Sequence, residues 1–155
     1  MALSWNEIRE RAIAFSKKWA DATDENAEAK PFLIDFFNIF GVSDRRVNKF
    51  EYKVPKRSGG NGYIDMLWKG NILIEMKSRG KDLDKAYQQA SEYFDGLKEY
   101  DLPKYILVCD FQRFRLEDVD NGKVYDFTLD ELYKKVNLFG FVAGYSSKVE
   151  LKEQD

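Results

Sequence analysis

Two short apolar runs held apart by three turn-forming residues constrain this chain more than any other feature. Tyr63 to Trp68 and Ile72 to Lys77 flank Lys69-Gly70-Asn71, whose residue types suit a tight hairpin turn. An amphipathic segment follows from Asp82 to about Glu99, with Leu83, Ala86, Tyr87, Ala90, Phe94 and Leu97 at helical spacing. A hairpin is therefore expected to feed directly into a one-sided helix.

The remaining chain supplies partners for that unit. Ser4-Trp-Asn-Glu7 has the capping-box pattern and precedes Ile8, Ala12, Phe15 and Trp19, predicting an amphipathic helix from residue 4 to about 21. A second helix should begin near Asp24, tolerate Pro31, turn Phe32, Phe36 and Phe40 inward and stop at Gly41. Phe50 to Val54 alternates like a strand, and Pro55 to Gly62 reads as a loop beside any site the hairpin builds. Lys104 to Asp110 is apolar enough for an interior strand, and Arg113–Asp118 and Lys123–Phe127 should pair across Asp120-Asn121-Gly122. A short helix is expected over Leu129–Val136. The order describes an α+β domain, a central mixed β-sheet flanked by helices.

Composition removes reaction classes. The chain has 155 residues, a length suited to one domain, and no His. Ser-His and Cys-His hydrolases, imidazole zinc sites and His-based nucleases are thereby excluded. Its one Cys, Cys109, lies within Tyr105-Ile-Leu-Val-Cys109 and reads as a buried core thiol. The N-terminus lacks a secretory pattern, and no long apolar run is present, so a cytoplasmic, soluble protein is expected. The net charge of -2 argues against a freestanding, tight nucleic-acid binder. Basic residues nevertheless cluster, Lys49, Lys53, Lys56 and Arg57 in one stretch and Lys77, Arg79, Lys81 and Lys85 in another, allowing a local positive face.

The chemistry centres on Gly62-Tyr-Ile-Asp65, nine intervening residues and Glu75-Met-Lys77. Strand alternation puts Glu75 and Lys77 on one face and Ile74 and Met76 on the other. With a three-residue loop, Trp68 pairs with Ile72 and the ladder carries Asp65 opposite Glu75. Two- or four-residue loops would break that arrangement. Carboxylates so placed repel one another and favour a hard divalent cation, with Mg2+ the natural match. Lys77 can orient a water and offset developing charge, a combination suited to phosphodiester hydrolysis. A structural salt bridge among Asp65, Glu75 and Lys77 is the bland alternative.

Other residues have two readings. Glu28 can face the same cation from the second helix or be a helix-start charge in solvent. Gln89 and Tyr93, four apart on the later helix, share a face and either serve the site or pair a core-edge tyrosine with a solvated glutamine. Ser78 and Arg79 can contact phosphate or mark an exposed strand end. Arg113 and Arg115 share a strand face, and Asp126 would account for them as a cross-strand partner.

Over a long stretch, the motif Gly62-Tyr-Ile-Asp65, the Glu75-Met-Lys77 triplet and Gln89-x-x-x-Tyr93 resemble the nuclease core of MmeI-like single-chain restriction-modification enzymes. The similarity extends to Ala27–Phe37 before it and Leu102–Phe114 after it. That family places a PD-(D/E)XK endonuclease first, followed by a helical spacer, an S-adenosylmethionine-dependent adenine methyltransferase and a target-recognition domain. The resemblance implies a restriction-endonuclease-like fold, with Asp65 and Glu75 as metal ligands, Lys77 as catalytic lysine, and Glu28, Gln89 and Tyr93 in supporting roles. Ile64 stands where the name-giving proline would precede the aspartate.

By that resemblance residues 1–145 are the nuclease domain and the charged ending, residues 146–155, starts a linker toward further domains. The expected cofactor is Mg2+, with Mn2+ able to substitute, while S-adenosylmethionine belongs only to the methyltransferase part. Expected partners are double-stranded DNA, the methyltransferase and target-recognition domains of the full-length chain, and a second copy in a transient dimer for double-strand cleavage. Two alternatives stand beside an active endonuclease. One is a catalytically silent PD-(D/E)XK fold used for DNA binding or assembly, the other an ordinary interaction domain.

Overall fold

A computed structural model describes residues 3–43, 49–56 and 59–144, without the side chains of residues 49–51. The expectations placed on Arg57, on the Lys49 side chain and on the linker from residue 146 lie outside these described residues.

Helix α1 spans Trp5–Lys18, and the Glu7 amide donates to the Ser4 hydroxyl at 3.2 Å. Only that half of the expected capping box forms, because the Glu7 carboxylate instead meets Arg11 one turn on, at 2.8 Å. Helix α2, Glu25–Ile39, is capped by Asp24 and accommodates Pro31. It ends before Gly41, whose φ of 76° reverses the chain at little cost to a residue without Cβ.

The strands are β1 (Lys49–Pro55), β2 (Asn61–Trp68), β3 (Ile72–Met76), β4 (Tyr105–Cys109), β5 (Arg113–Asp118) and β6 (Val124–Thr128). They form one six-stranded sheet in the order β1-β2-β3-β4-β5-β6. Every neighbouring pair is antiparallel except β3 and β4, which run parallel. A parallel pair needs a crossover. Helix α3, Leu83–Gly96, supplies it. Trp68 pairs with Ile72, so the turn has the three residues expected.

The ending departs from expectation. In place of one short helix over Leu129–Val136, the chain runs as broken helical turns through Leu129–Glu131, α4 (Leu132–Lys135), Val136–Phe139 and α5 (Gly140–Ala143). Gly140 and the β-branched Val136 are poor helix formers, but burial of Val136, Phe139 and Val142 holds the segment down.

Alternation sorts the central strands between two cores. Ile72, Ile74 and Met76 join Leu107 and Cys109 beneath α1 and α2, whereas Leu73 joins Ile106 and Val108 beneath α3. With both faces covered, all five residues of β3 are buried, Glu75 among them.

Candidate active site

At its third rung the β2–β3 ladder stops. Main-chain pairing runs from Trp68–Ile72 to Met66–Ile74. Beyond it, carboxylates stand in for carbonyls. The Asp65 amide donates to Glu75 Oε1 at 3.0 Å, and the Met76 amide donates to Asp65 Oδ2 at 2.7 Å. Each acid thus grips the main chain of the other's strand. Charge-assisted bonds of this kind are about twice as strong as neutral ones. The register expected from the loop brings Asp65 and Glu75 together, although through this side-chain clasp instead of a regular ladder rung.

Burial sets the electrostatics. Glu75 is 2% exposed and Asp65 half-buried. Removal from water, then the charge of Asp65, pushes the Glu75 carboxyl well above its usual range, against the opposing effects of the Asp65 amide and Lys77. A pair in that state gains from a nearby cation.

Lys77 follows β3, where its amide donates to the Cys109 carbonyl at 2.8 Å and keeps the chain on β4. Its Nζ donates to Gln89 Oε1 at 2.7 Å, and Gln89 Nε2 donates to the Tyr93 hydroxyl at 2.7 Å. The two α3 residues singled out by their spacing therefore form a relay ending on the lysine. Burial raises the Tyr93 phenol, against the lowering effect of the Gln89 amide that donates to it.

Small residues let α3 come close enough for this. Ala86 and Ala90 are fully buried against the sheet. A Cβ on Gly96 would lie 2.0 Å from the Pro55 carbonyl oxygen, and one on Gly62 would lie 2.4 Å from Tyr93 Cε1. Gly96 demands glycine because the obstacle is main chain, whereas a larger residue at 62 would have to push aside the Tyr93 ring and the Lys56 stem.

Glu28 is placed differently. Its Oε2 accepts from the Thr23 and Asp24 amides at 2.8 and 3.3 Å, which ties it to the start of its own helix. Glu25 is the α2 acid whose charge is felt by Glu75. It is clasped to the residue after the lysine. The Glu25 amide donates to Ser78 Oγ at 3.1 Å, and the Ser78 amide donates to Glu25 Oε1 at 3.3 Å. Arg79 spans Ala20 O and Gln112 Oε1, so Ser78 and Arg79 anchor the β3–α3 connection. Asp110, 1% exposed, secures the far side of that connection by accepting from the Gly80 amide and pairing with Arg113. Arg115 meets Asp126 across the strands, as expected, and also Asp84.

Glu25 and Asp110 were not among the sequence candidates. An acid in a first helical turn or after a strand is ordinary, and the contacts that distinguish these two come from elements distant in sequence. Among the described residues no group of three or more His, Cys, Asp or Glu side chains could hold a metal ion. A cation here would rest on Asp65 and Glu75, with other oxygens from water and substrate. That is the usual habit of Mg2+, which keeps several waters.

A separate groove of about 240 Å³ lies between α1 and α2, lined by Phe15, Ile39, Arg11, Lys18 and Asp35, and contains none of the expected site residues. No helix among the described residues is long and apolar enough to cross a membrane.

Comparison with known proteins agrees with this architecture. The family model described as MmeI, N-terminal domain, matches residues 10–155. No curated protein matches significantly. Among solved structures, a cryo-EM structure of a DrdV–DNA complex is similar, with a TM-score of 0.59 and 14% identity over 88% of this chain. This chain spans only 14% of that one. The likeness bears out the α+β, restriction-endonuclease-like fold.

Proposed function

Starting from a chain that belongs to the MmeI N-terminal domain family, we propose that it is a Mg2+-dependent endonuclease domain that hydrolyses DNA phosphodiester bonds as the cutting module of a restriction-modification enzyme. The observation that carries this reading is the reciprocal clasp of Asp65 and Glu75, with Lys77 two residues on.

The donor set fits the cation. Asp65 and Glu75 offer only oxygen, each carboxylate can accept several bonds, and burial gives the pair reason to bind positive charge. For Glu28 to join, it would have to leave the Thr23 and Asp24 amides. When bound, Mg2+ or Mn2+ supplies polarisation of a phosphoryl oxygen, a more acidic water and stabilisation of the leaving oxygen.

The protein supplies position. Asp65 and Glu75 fix the acidic side of the site to two strands at once. Lys77 presents its ammonium from a rigid β3 end, steered by Gln89, where it can orient the attacking water and offset charge on the phosphoryl group. Tyr93 fixes the amide of Gln89 so that its oxygen, not its nitrogen, faces the lysine. Sequence recognition, the methyltransferase and the cofactor S-adenosylmethionine belong, on this reading, to other parts of a longer chain. A second copy would be needed to cut both strands.

The competing reading, a silent fold that binds DNA or assists assembly, draws on the same clasp, since amides already occupy one oxygen of each carboxylate. Calorimetry with Mg2+ and Mn2+ on wild type and Asp65→Asn, with plasmid nicking in Mn2+ on the same samples, separates the two. The nuclease reading expects binding and nicking by wild type and neither by the variant. Absence of cation binding in wild type would defeat the metal site, and binding without nicking would favour the silent fold.

A further inference from the structure

The β1–β2 hairpin is longer than the sheet needs. Its strands pair from Lys49–Leu67 out to Pro55–Asn61, but β3 pairs only with Met66 to Trp68. The outer half is therefore a two-stranded ribbon projecting past the site.

Its two faces differ. One rests on α3 through Val54, Gly62 and Ile64, against Tyr93 and Gly96. The other carries the cross-strand pair Lys53 and Tyr63, and beyond it Pro55 and Asn61, all exposed. Tyr63 is 56% exposed, which is unusual for so large a ring at a strand centre. At the tip the stem of Lys56 lies over Gly62 on the α3 side, opposite Lys53 and Tyr63, and the Lys56 amide closes the turn on the Gly60 carbonyl at 2.9 Å.

Charge singles out the same stretch. In a chain of net charge -2, residues 52–64 contain no Asp or Glu. The ribbon also touches the site, because its Gly62 packs against the ring of Tyr93, whose hydroxyl accepts from Gln89 of the Lys77 relay.

We propose that this ribbon is the DNA-docking surface of the domain, its exposed face entering the major groove beside the phosphate to be cut, with Lys53 on the backbone from that face, Lys56 reaching the backbone from the other side of the tip, and Tyr63 against a base edge or sugar. This rests on the endonuclease reading for the choice of phosphate, but the contact itself can be tested without cleavage. A major groove admits a two-stranded ribbon, and lysine and tyrosine are common donors to phosphate oxygens. A protein partner fits less well, since the face offers one aromatic ring flanked by cations and no broad apolar area.

The test is fluorescence anisotropy of a labelled duplex with the 155-residue chain, Ca2+ replacing Mg2+, over a range of KCl concentrations. Lys53→Ala with Lys56→Ala should weaken binding and lower the slope of log K against log salt by about 1.8, two phosphate contacts at about 0.9 each. Tyr63→Ala should weaken binding by about fivefold, the net worth of about one neutral hydrogen bond, with the slope unchanged because the ring carries no charge. Lys134→Ala with Lys135→Ala, on α4 away from the ribbon, should bind like wild type. Ribbon variants that bind normally, a control that loses as much, or wild type that does not bind would each overturn the proposal. Wild type that docks through the ribbon but never nicks would sink the nuclease reading alone.

Discussion

The two faces of the sheet are built from different materials. Beneath α1 and α2 the core is aromatic, and Phe36 alone packs against Phe37, Phe40, Phe114 and Phe139 with ring centroids 5.2–6.1 Å apart. Beneath α3 it is thin, made of Leu83, Ala86, Ala90 and strand aliphatics, and it admits a buried glutamate, a lysine, a glutamine and a tyrosine. The first face gains stability from large rings removed from water. The second uses small residues to bring a helix near enough for side chains to bond across the gap. What the comparison teaches is a division of labour, with stability on one side of β3 and a strained polar cluster on the other.

The largest expected effect falls on the aromatic face. Phe36→Ala should cost about 3–5 kcal/mol in urea unfolding, as for other buried phenylalanines. A cost below about 1 kcal/mol would break the comparison, because this core would then not be the stabilising one.

On the polar face, Lys77→Ala should slow plasmid nicking by about 10²–10³-fold, the usual cost of removing one donor to a developing oxyanion. Its circular dichroism and melting temperature should stay near those of wild type. A variant that fails to fold would instead mark the lysine as part of a structural ion pair.

Gly62→Ala couples the faces of β2 to chemistry more gently. The added methyl would press on the Tyr93 ring. Overpacking of this kind costs about 1–3 kcal/mol, and nicking should fall as the ring leaves Gln89. Equal stability and nicking in the two proteins would show that the ring can move aside freely.

The subtlest test is of pH. Burial and Asp65 raise the Glu75 carboxyl in the folded protein. As pH rises past the usual carboxylate range, the unfolded chain releases this proton first, so the unfolded state binds fewer protons and folding stability declines. The decline should end once the pH passes the raised folded value. Glu75→Gln should abolish it and melt higher at neutral pH without divalent cation. A Glu75→Gln protein that keeps the same decline would locate the strain elsewhere.

Sequence carried a good part of this. The turn residues Lys69-Gly70-Asn71 set the register, and the spacing of Gln89 and Tyr93 placed both on the site side of α3. The site was less legible at its edges. Nothing in the strand pattern says that carboxylates will replace carbonyls at the rung after Met66–Ile74, because that depends on competition between side chain and main chain for one amide. Glu28 drew attention over Glu25 since both sit in a first turn, and only the docking of α2 against Ser78 distinguishes them. The final helical turns escaped because their helicity comes from burial, which local propensity does not record.

The clasp between Asp65 and Glu75 also makes the backbone an informant. The amide protons of Asp65 and Met76 are held by carboxylates, so their rate of exchange with solvent deuterium depends on where those carboxylates are engaged. A ligand that recruits either acid must renegotiate these two bonds, while the Trp68–Ile72 rung beside the turn keeps its own clock. Two probes on one hairpin, one sensitive to occupancy and one indifferent, thus come built into the chain.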